Sequence, residues 1–153
     1  MNHISWDQYF MGVALLSAKR SKDPNTQVGA CLVNEDKRII GIGYNGFPRG
    51  CSDDVFPWGK SDPDPVNTKY AYVVHAEANA ILNSNSSLKG ATLYVSLFPC
   101  NECAKLIIQS GIKEIVFMDD KYNGTESDQA SKRMLDAAGV KYRKMDKIEV
   151  SLK

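Results

Sequence analysis

His75-Ala76-Glu77-Ala78-Asn79-Ala80-Ile81 and, further along, Pro99-Cys100-Asn101-Glu102-Cys103 are the two stretches around which this chain is organised. One imidazole and two sulfurs are ligands of the type zinc prefers. A zinc with only three protein ligands keeps its fourth tetrahedral position for water. Glu77 stands two residues from His75, a carboxylate near the metal that need not bind it. Positions 75 and 77 do not share a face in mid-helix, yet at a helix N-terminus both can converge on one ion. Cys100 and Cys103, at i and i+3 where a helix is expected to begin, can place their sulfurs on one face. A helix N-terminus and a zinc ion both favour thiolates.

A neutral imidazole and two thiolates cancel the formal charge of Zn2+. The ion can still bring the pKa of a bound water from about 15.7 towards roughly 7. Hydroxide made in this way can attack an aromatic amidine carbon. Loss of ammonia then requires one proton on the ring nitrogen and one on the departing amine. A single carboxylate, Glu77, can relay both. The competing readings are a structural zinc and a redox C-x-x-C. A structural site normally has four protein ligands. The remaining candidates are His3, Cys31, which sits in an apolar run and reads as a core thiol, and Cys51, which the sequence leaves open as a fourth ligand. A redox reading leaves His75-Ala76-Glu77 without a role.

Outward from these stretches the chain alternates helices and strands. Ser5 and Gln8 form a capping box for a helix reaching about Ala18, with Trp6, Tyr9, Phe10, Val13 and Leu16 as its expected core face. The run 20–25 is a polar loop containing Pro24. Val28 to Asn34 and Arg38 to Tyr44 read as a β-hairpin about the turn 34–37, both faces covered. Residues 45 to about 69 are irregular, with four prolines and three glycines. A loop of this length is usually functional or disordered, and Phe47, Phe56 and Trp58 argue against disorder. Helices are expected from His75 to about Leu82, from Cys100 to Ser110 and from Ser127 to Ala138, the last two stopped by Gly111 and Gly139. Strands are expected at 91–97 and 114–118, with weaker ones at 140–143 and 148–152. This order predicts an α/β layered sheet with an antiparallel edge, and residues 1–153 as one domain.

Composition sets bounds on partners. Of 153 residues, 43% are hydrophobic and 24% charged, as in ordinary soluble proteins, and the net charge of +1 carries no nucleic-acid-binding signal. No apolar run approaches the ~20 residues of a membrane span. The N-terminus lacks the basic and apolar regions of a signal peptide. Four cysteines without a secretory signal fit a metal or redox site in the reducing cytoplasm better than a disulfide framework.

H-x-E followed by P-C-x-x-C is an established signature of zinc nucleobase deaminases. Nearly the whole chain resembles the deoxycytidylate (dCMP) deaminases of the cytidine deaminase superfamily. The matching stretches include Asn25-Thr26-Gln27-Val28-Gly29-Ala30, Gly43-Tyr44-Asn45-Gly46-Phe47-Pro48, Gly50-Cys51-Ser52-Asp53-Asp54 and Asp120-Lys121-Tyr122. The His/Cys core is common to the superfamily. The Gly-Tyr-Asn-Gly loop with the long insert is the narrower signal. The resemblance implies a three-layer α/β/α fold with a mixed five-stranded sheet, zinc on His75, Cys100 and Cys103, and Glu77 as proton shuttle. It implies deamination of dCMP to dUMP for thymidylate synthesis, with Asn45 and Ala76 at the nucleotide. Phosphate candidates are Arg20, Ser21, Lys22, Lys69, Lys121 and Tyr122, of which the resemblance favours Ser21, Lys22 and Tyr122. It also implies a homo-oligomer, a hexamer by preference, activated by dCTP and inhibited by dTTP, with Mg2+ on the triphosphate. Gly46, Arg49, Asp53 and Asp54 would lie in the regulatory segment. The alternatives are a deaminase of another cytosine nucleoside or nucleotide, an enzyme editing a base in nucleic acid, and a non-catalytic nucleotide sensor. The intact Glu77 speaks against the last.

Overall fold

The computed structural model describes residues 1–153. Its elements in order are helix α1 (Trp6–Ala18), strands β1 (Gly29–Val33) and β2 (Ile39–Tyr44), helix α2 (Ala76–Asn83), β3 (Thr92–Leu97), α3 (Asn101–Ser110), β4 (Glu114–Asp119), α4 (Glu126–Ala138) and β5 (Lys141–Lys144). The strands form one sheet in the order β2-β1-β3-β4-β5. β1 runs antiparallel to both β2 and β3, whereas β3, β4 and β5 are parallel, so the sheet is mixed as expected.

Strand side chains alternate between faces, and that period divides the core in two. Ala30 and Leu32 of β1, Leu93 and Val95 of β3, and Ile115 and Phe117 of β4 pack with α2, α3 and α4 residues such as Ala80, Ile107 and Leu135. The intervening Cys31, Val33, Tyr94, Val116 and Met118 pack against Phe10, Met11 and Ala14 of α1. The result is a three-layer sandwich with three helices on one face and one on the other.

The expected cap of α1 is present: the Ser5 hydroxyl accepts from the Gln8 N–H while the Gln8 side chain accepts from the Ser5 N–H. The expected core face of that helix is only partly right, with Phe10 inside and Val13 partly buried against the core. Phe10, Met11, Ala14 and Ala18 are buried, but Trp6, Tyr9 and Leu16 are 55%, 45% and 47% exposed. The cause lies in β1. A side chain on Gly29 would collide with the Ala14 carbonyl, so α1 lies close on the sheet and presents its small residues to it. Trp6 and Tyr9 turn outward, while Phe10 stays inside.

Two further expectations need correction. The strand predicted at 148–152 does not form. That segment leaves β5 without pairing, and Ile148 instead packs beside α1 and the sheet. β2 is not covered on both faces, because it is an edge strand and Ile42 is 39% exposed. Its edge is nevertheless occupied: Asn79 and Asn83, one turn apart on α2, donate to the carbonyls of Tyr44 and Ile42 at 2.8 and 2.9 Å.

The seat of α2 positions the site, because this helix carries His75 and Glu77. It rests directly on glycines of β2. A Cβ on Gly41 would come within 2.6 Å of the Ala80 carbonyl, and one on Gly43 would strike the Ala76 carbonyl and the Ala80 N–H. Gly43→Ala must therefore lift α2 off the sheet, at a cost of about 1–3 kcal/mol. Thermal denaturation should show Tm lowered by roughly 2–10 °C, and metal analysis a parallel loss of bound metal.

Candidate active site

Two helix N-termini meet at one point. His75 is the N-cap of α2 and Cys100 the N-cap of α3, both with extended backbone, and neither side chain makes a capping hydrogen bond. Residues that would ordinarily cap their own helices are thereby free to face each other. Cys103, in the first turn of α3, completes the group. Both sulfurs lie 3.4 Å from His75 Nδ1, and all three donor atoms are within 4.8 Å of one another. A tetrahedral zinc at about 2.3 Å from sulfur and about 2.0 Å from nitrogen separates such atoms by about 3.6 Å. The trio therefore fits zinc, and Nδ1 is the imidazole atom placed to bind it. Neither His3 nor Cys51 belongs to this cluster, so four-ligand structural geometry is absent.

The entry to α3 is held from α4. The Ser131 hydroxyl, fully buried, donates to the Pro99 carbonyl at 3.1 Å. Ser127 Oγ accepts from the Asn101 N–H and donates to Asn101 Oδ1. The sequence reading starts α4 at Ser127. The helix instead begins at Glu126, because the Thr125 hydroxyl caps it from outside.

Glu77 sits in the first turn of α2 and is only 4% exposed. Burial pushes its carboxyl up to about 7, against the opposing pull of His75. Cys100 is held down to about 4, first by its hydrogen bond with Cys103 and then by His75. That same bond, with burial, pushes Cys103 up. His75 is raised, chiefly by its contact with Cys100. A carboxyl poised near neutrality beside a nitrogen and two sulfurs is equipped to take up and return a proton.

His75, Glu77 and Cys100 line a cavity of about 360 Å³, large enough for a small ligand, while Cys103 is buried outside its lining. Val28, Val73, Leu97 and Phe98 wall it, and Tyr70, Tyr122 and Asn123 stand among its polar lining. The zinc-binding-region family model of cytidine and deoxycytidylate deaminases matches residues 4–119.

The chain belongs to this deaminase family. It is 58% identical to the human deoxycytidylate deaminase over 144 residues, 94% of this chain and 81% of that protein. It is 62% identical over 148 residues to a probable deoxycytidylate deaminase of Drosophila melanogaster, covering 93% and 73% of the two chains. Among solved structures it resembles the dCMP deaminase of cyanophage S-TIM5 in complex with dCMP and dUMP. That likeness has a TM-score of 0.72 at 27% identity, over 94% of this chain and all of the other.

Within this deaminase fold the residues singled out from the sequence part company. Asn45, Lys69, Ala76 and Tyr122 line the cavity with His75, Glu77 and Cys100. Ser21 and Lys22 do not. The Ser21 hydroxyl accepts from the Asp23 N–H, and Lys22 reaches out to Asp53 at 2.8 Å. Arg20 lies over the Tyr44 ring, and Lys121 lines a neighbouring cleft. Gly46 bridges to Val74, while Arg49 and Asp54 are exposed. The long insert is ordered by aromatic stacking, with Phe47 and Trp58 centroids 4.0 Å apart and the Trp58 indole donating to the Asp53 carbonyl.

The sequence offered no sign of Asp23, Lys60, Asn123, Ser127 or Asp128 in the lining. Asp128 accepts from the Gly124 N–H and from Lys132 at 3.0 Å each, and Thr125 three residues before it is a readable helix-start signal. Asp23 pairs with Lys69, 46 positions later, at 2.6 Å, and no local pattern reports that contact. Burial raises the Asp23 carboxyl, but Lys69 and the Asn25 and Thr26 N–H donors outweigh it and leave the group below its ordinary 3.8. A lowered carboxyl stabilises the fold above that value and ceases to do so as pH falls through the folded value. Asp23→Asn, by leaving the Lys69 ammonium buried and unpaired, should cost about 3–5 kcal/mol at neutral pH. It should also flatten the loss of Tm with acidification below about pH 4, measurable by calorimetry across pH.

Proposed function

We propose that this chain catalyses the hydrolytic deamination of dCMP to dUMP and ammonia, as a zinc-dependent enzyme supplying dUMP for thymidylate synthesis. The observation that carries the reading is a cluster of one imidazole nitrogen and two sulfurs whose His75 and Cys100, with the buried Glu77 carboxyl, line a single cavity. The kinship with deoxycytidylate deaminases, and the likeness to a structure holding both dCMP and dUMP, support the choice of substrate. The unit proposed is one deaminase domain over residues 1–153.

His75, Cys100 and Cys103 are assigned as the metal ligands. When bound, zinc supplies positive charge and acidifies a water, lowering its pKa towards roughly 7. Glu77 is assigned the protons: its carboxylate would take one from the attacking water and pass it to the ring N3, and, as the new C4–O bond replaces the C4–N bond, would take the second from the C4 hydroxyl and give it to the amine that leaves as ammonia. The apolar walls flank the pyrimidine and keep bulk water from it. Ala76 offers main chain at the start of α2. Asn45 has one Oδ1 lone pair left for the nucleotide, because its other hydrogen-bonding capacity is used within the protein.

For the phosphate, Tyr122 remains a candidate from its place in the cavity lining. Of the two lysines in the cavity lining, Lys69 is committed to Asp23, so Lys60 takes precedence over Ser21 and Lys22. Regulation by dCTP and dTTP, with Mg2+ on the triphosphate, is assigned to Gly46, Arg49, Asp53 and Asp54. The Lys22–Asp53 pair supports it by linking that segment to the loop before β1. A cytoplasmic location and a homo-oligomer, a hexamer by preference, are assigned from the kinship with deoxycytidylate deaminases, and the outward Trp6, Tyr9 and Leu16 of α1 offer an apolar surface for contact between copies. No helix is long and apolar enough to cross a membrane.

The test is loss of cytosine absorbance with dCMP, deoxycytidine, CMP and single-stranded DNA as substrates. Turnover of dCMP well above the others is expected, and preference for deoxycytidine overturns the assignment. Glu77→Gln should keep zinc and lose roughly 10²–10⁴-fold in kcat. Loss of zinc on that substitution would make Glu77 a structural residue.

A further inference from the structure

Buried ion pairs are costly, and an apolar pair of the same shape often stabilises a protein as well or better. This chain nevertheless places one in the wall of its cavity. The Asp23 and Lys69 side chains are 1% and 8% exposed, and their charged atoms lie 2.6 Å apart. The neighbours show what the pair does. Asp23 Oδ1 accepts from the Asn25 and Thr26 N–H groups at 2.8 and 3.2 Å, which fixes the carboxylate plane. Oδ2 accepts from Lys69 Nζ and, at 3.4 Å, from Asn45 Nδ2. The Asn45 amide also donates to the Thr26 carbonyl at 2.9 Å, while its Oδ1 accepts from the Val28 N–H at 2.9 Å.

An asparagine amide can ordinarily turn over and exchange its oxygen for its nitrogen. Here an ionised carboxylate, which only accepts, stands on the nitrogen side, and an N–H, which only donates, stands on the oxygen side. Lys69 keeps the carboxylate charged. Its own backbone is tied to the middle of the insert, its N–H donating to the Gly59 carbonyl at 2.9 Å.

We propose that Asp23 and Lys69 are positioning residues that lock the Asn45 amide in one orientation, so that its oxygen meets the nucleotide, and latch the long insert to the cavity wall. The proposal rests on the nucleotide-binding reading of the cavity given above. It assigns the ion pair a part in substrate recognition that its contribution to stability does not require.

The experiment compares wild type with the double variant Asp23→Leu/Lys69→Met, which removes both charges together, and with Asn45→Ala alone and combined with it. Zinc content, Tm, kcat and KM for dCMP are measured on the full chain. The double variant should stay folded with zinc bound and kcat within about twofold. Its KM should rise about fivefold to tenfold, the size of a misplaced hydrogen bond. In the Asn45→Ala background the same two substitutions should add no further rise. An unchanged KM, or a rise that adds fully to that of Asn45→Ala, overturns the latch and leaves the pair a structural element. If the double variant does not fold, Lys69→Arg takes its place. Its broader fork should draw the carboxylate from Asn45 and raise KM at constant kcat, and an unchanged KM overturns the proposal. Wild-type protein that deaminates no cytosine nucleotide overturns the reading of the cavity itself, a result distinct from any of these.

Discussion

The architecture depends on aiming two helix N-termini at a common point. Each brings a cap residue, His75 or Cys100, whose side chain is released from its own helix. Each also brings a partial positive charge that favours thiolate and carboxylate. A donor set able to hold a cation can thus be built from three side chains within one turn of two helices. The fourth group, Glu77, enters from the same turn, and burial tunes it towards neutrality. Everything else in the fold keeps those two helix starts in register: the glycines under α2, the Ser131 and Ser127 contacts beneath α3, and the parallel β3–β4 pair from whose ends the loops emerge.

How much of this could be read in advance follows from how local each signal is. The capping box of α1, the glycine stops of α3 and α4, and the zinc-type spacing of 75, 100 and 103 are short-range features. Each appears in the structure at its expected place, Gly111 and Gly139 both with left-handed backbone. The outward turn of Trp6, Tyr9 and Leu16 was not legible. Hydrophobicity at helical spacing says that a face is apolar, but not that Gly29 lies beneath the opposite one. The Asp23–Lys69 pair spans the whole insert, and nothing near Asp23-Pro24 points to position 69. The segment 148–152 has strand composition but meets no free partner, so it lies against a helix instead.

Charge around the cavity shows the same division. Sequence reasoning names Lys69 among the phosphate candidates but favours Ser21 and Lys22 of the loop after α1. The fold sends Lys22 outward to Asp53 and places Lys60 and Lys69, from the far end of the insert, in the lining. The insert is therefore part of the cavity wall, and its aromatic stack gives it the rigidity a wall needs. The cavity is thus built jointly by two helix ends and a segment that a sequence reading describes only as irregular.

Asn79 and Asn83 have a consequence beyond α2. Their amides take backbone carbonyls on β2, and at the opposite margin of the sheet β5 is four residues long and carries Lys141, Arg143 and Lys144. Neither border offers a clean template for another polypeptide to zip onto. Both borders of the sheet are thereby guarded against fibril-like stacking.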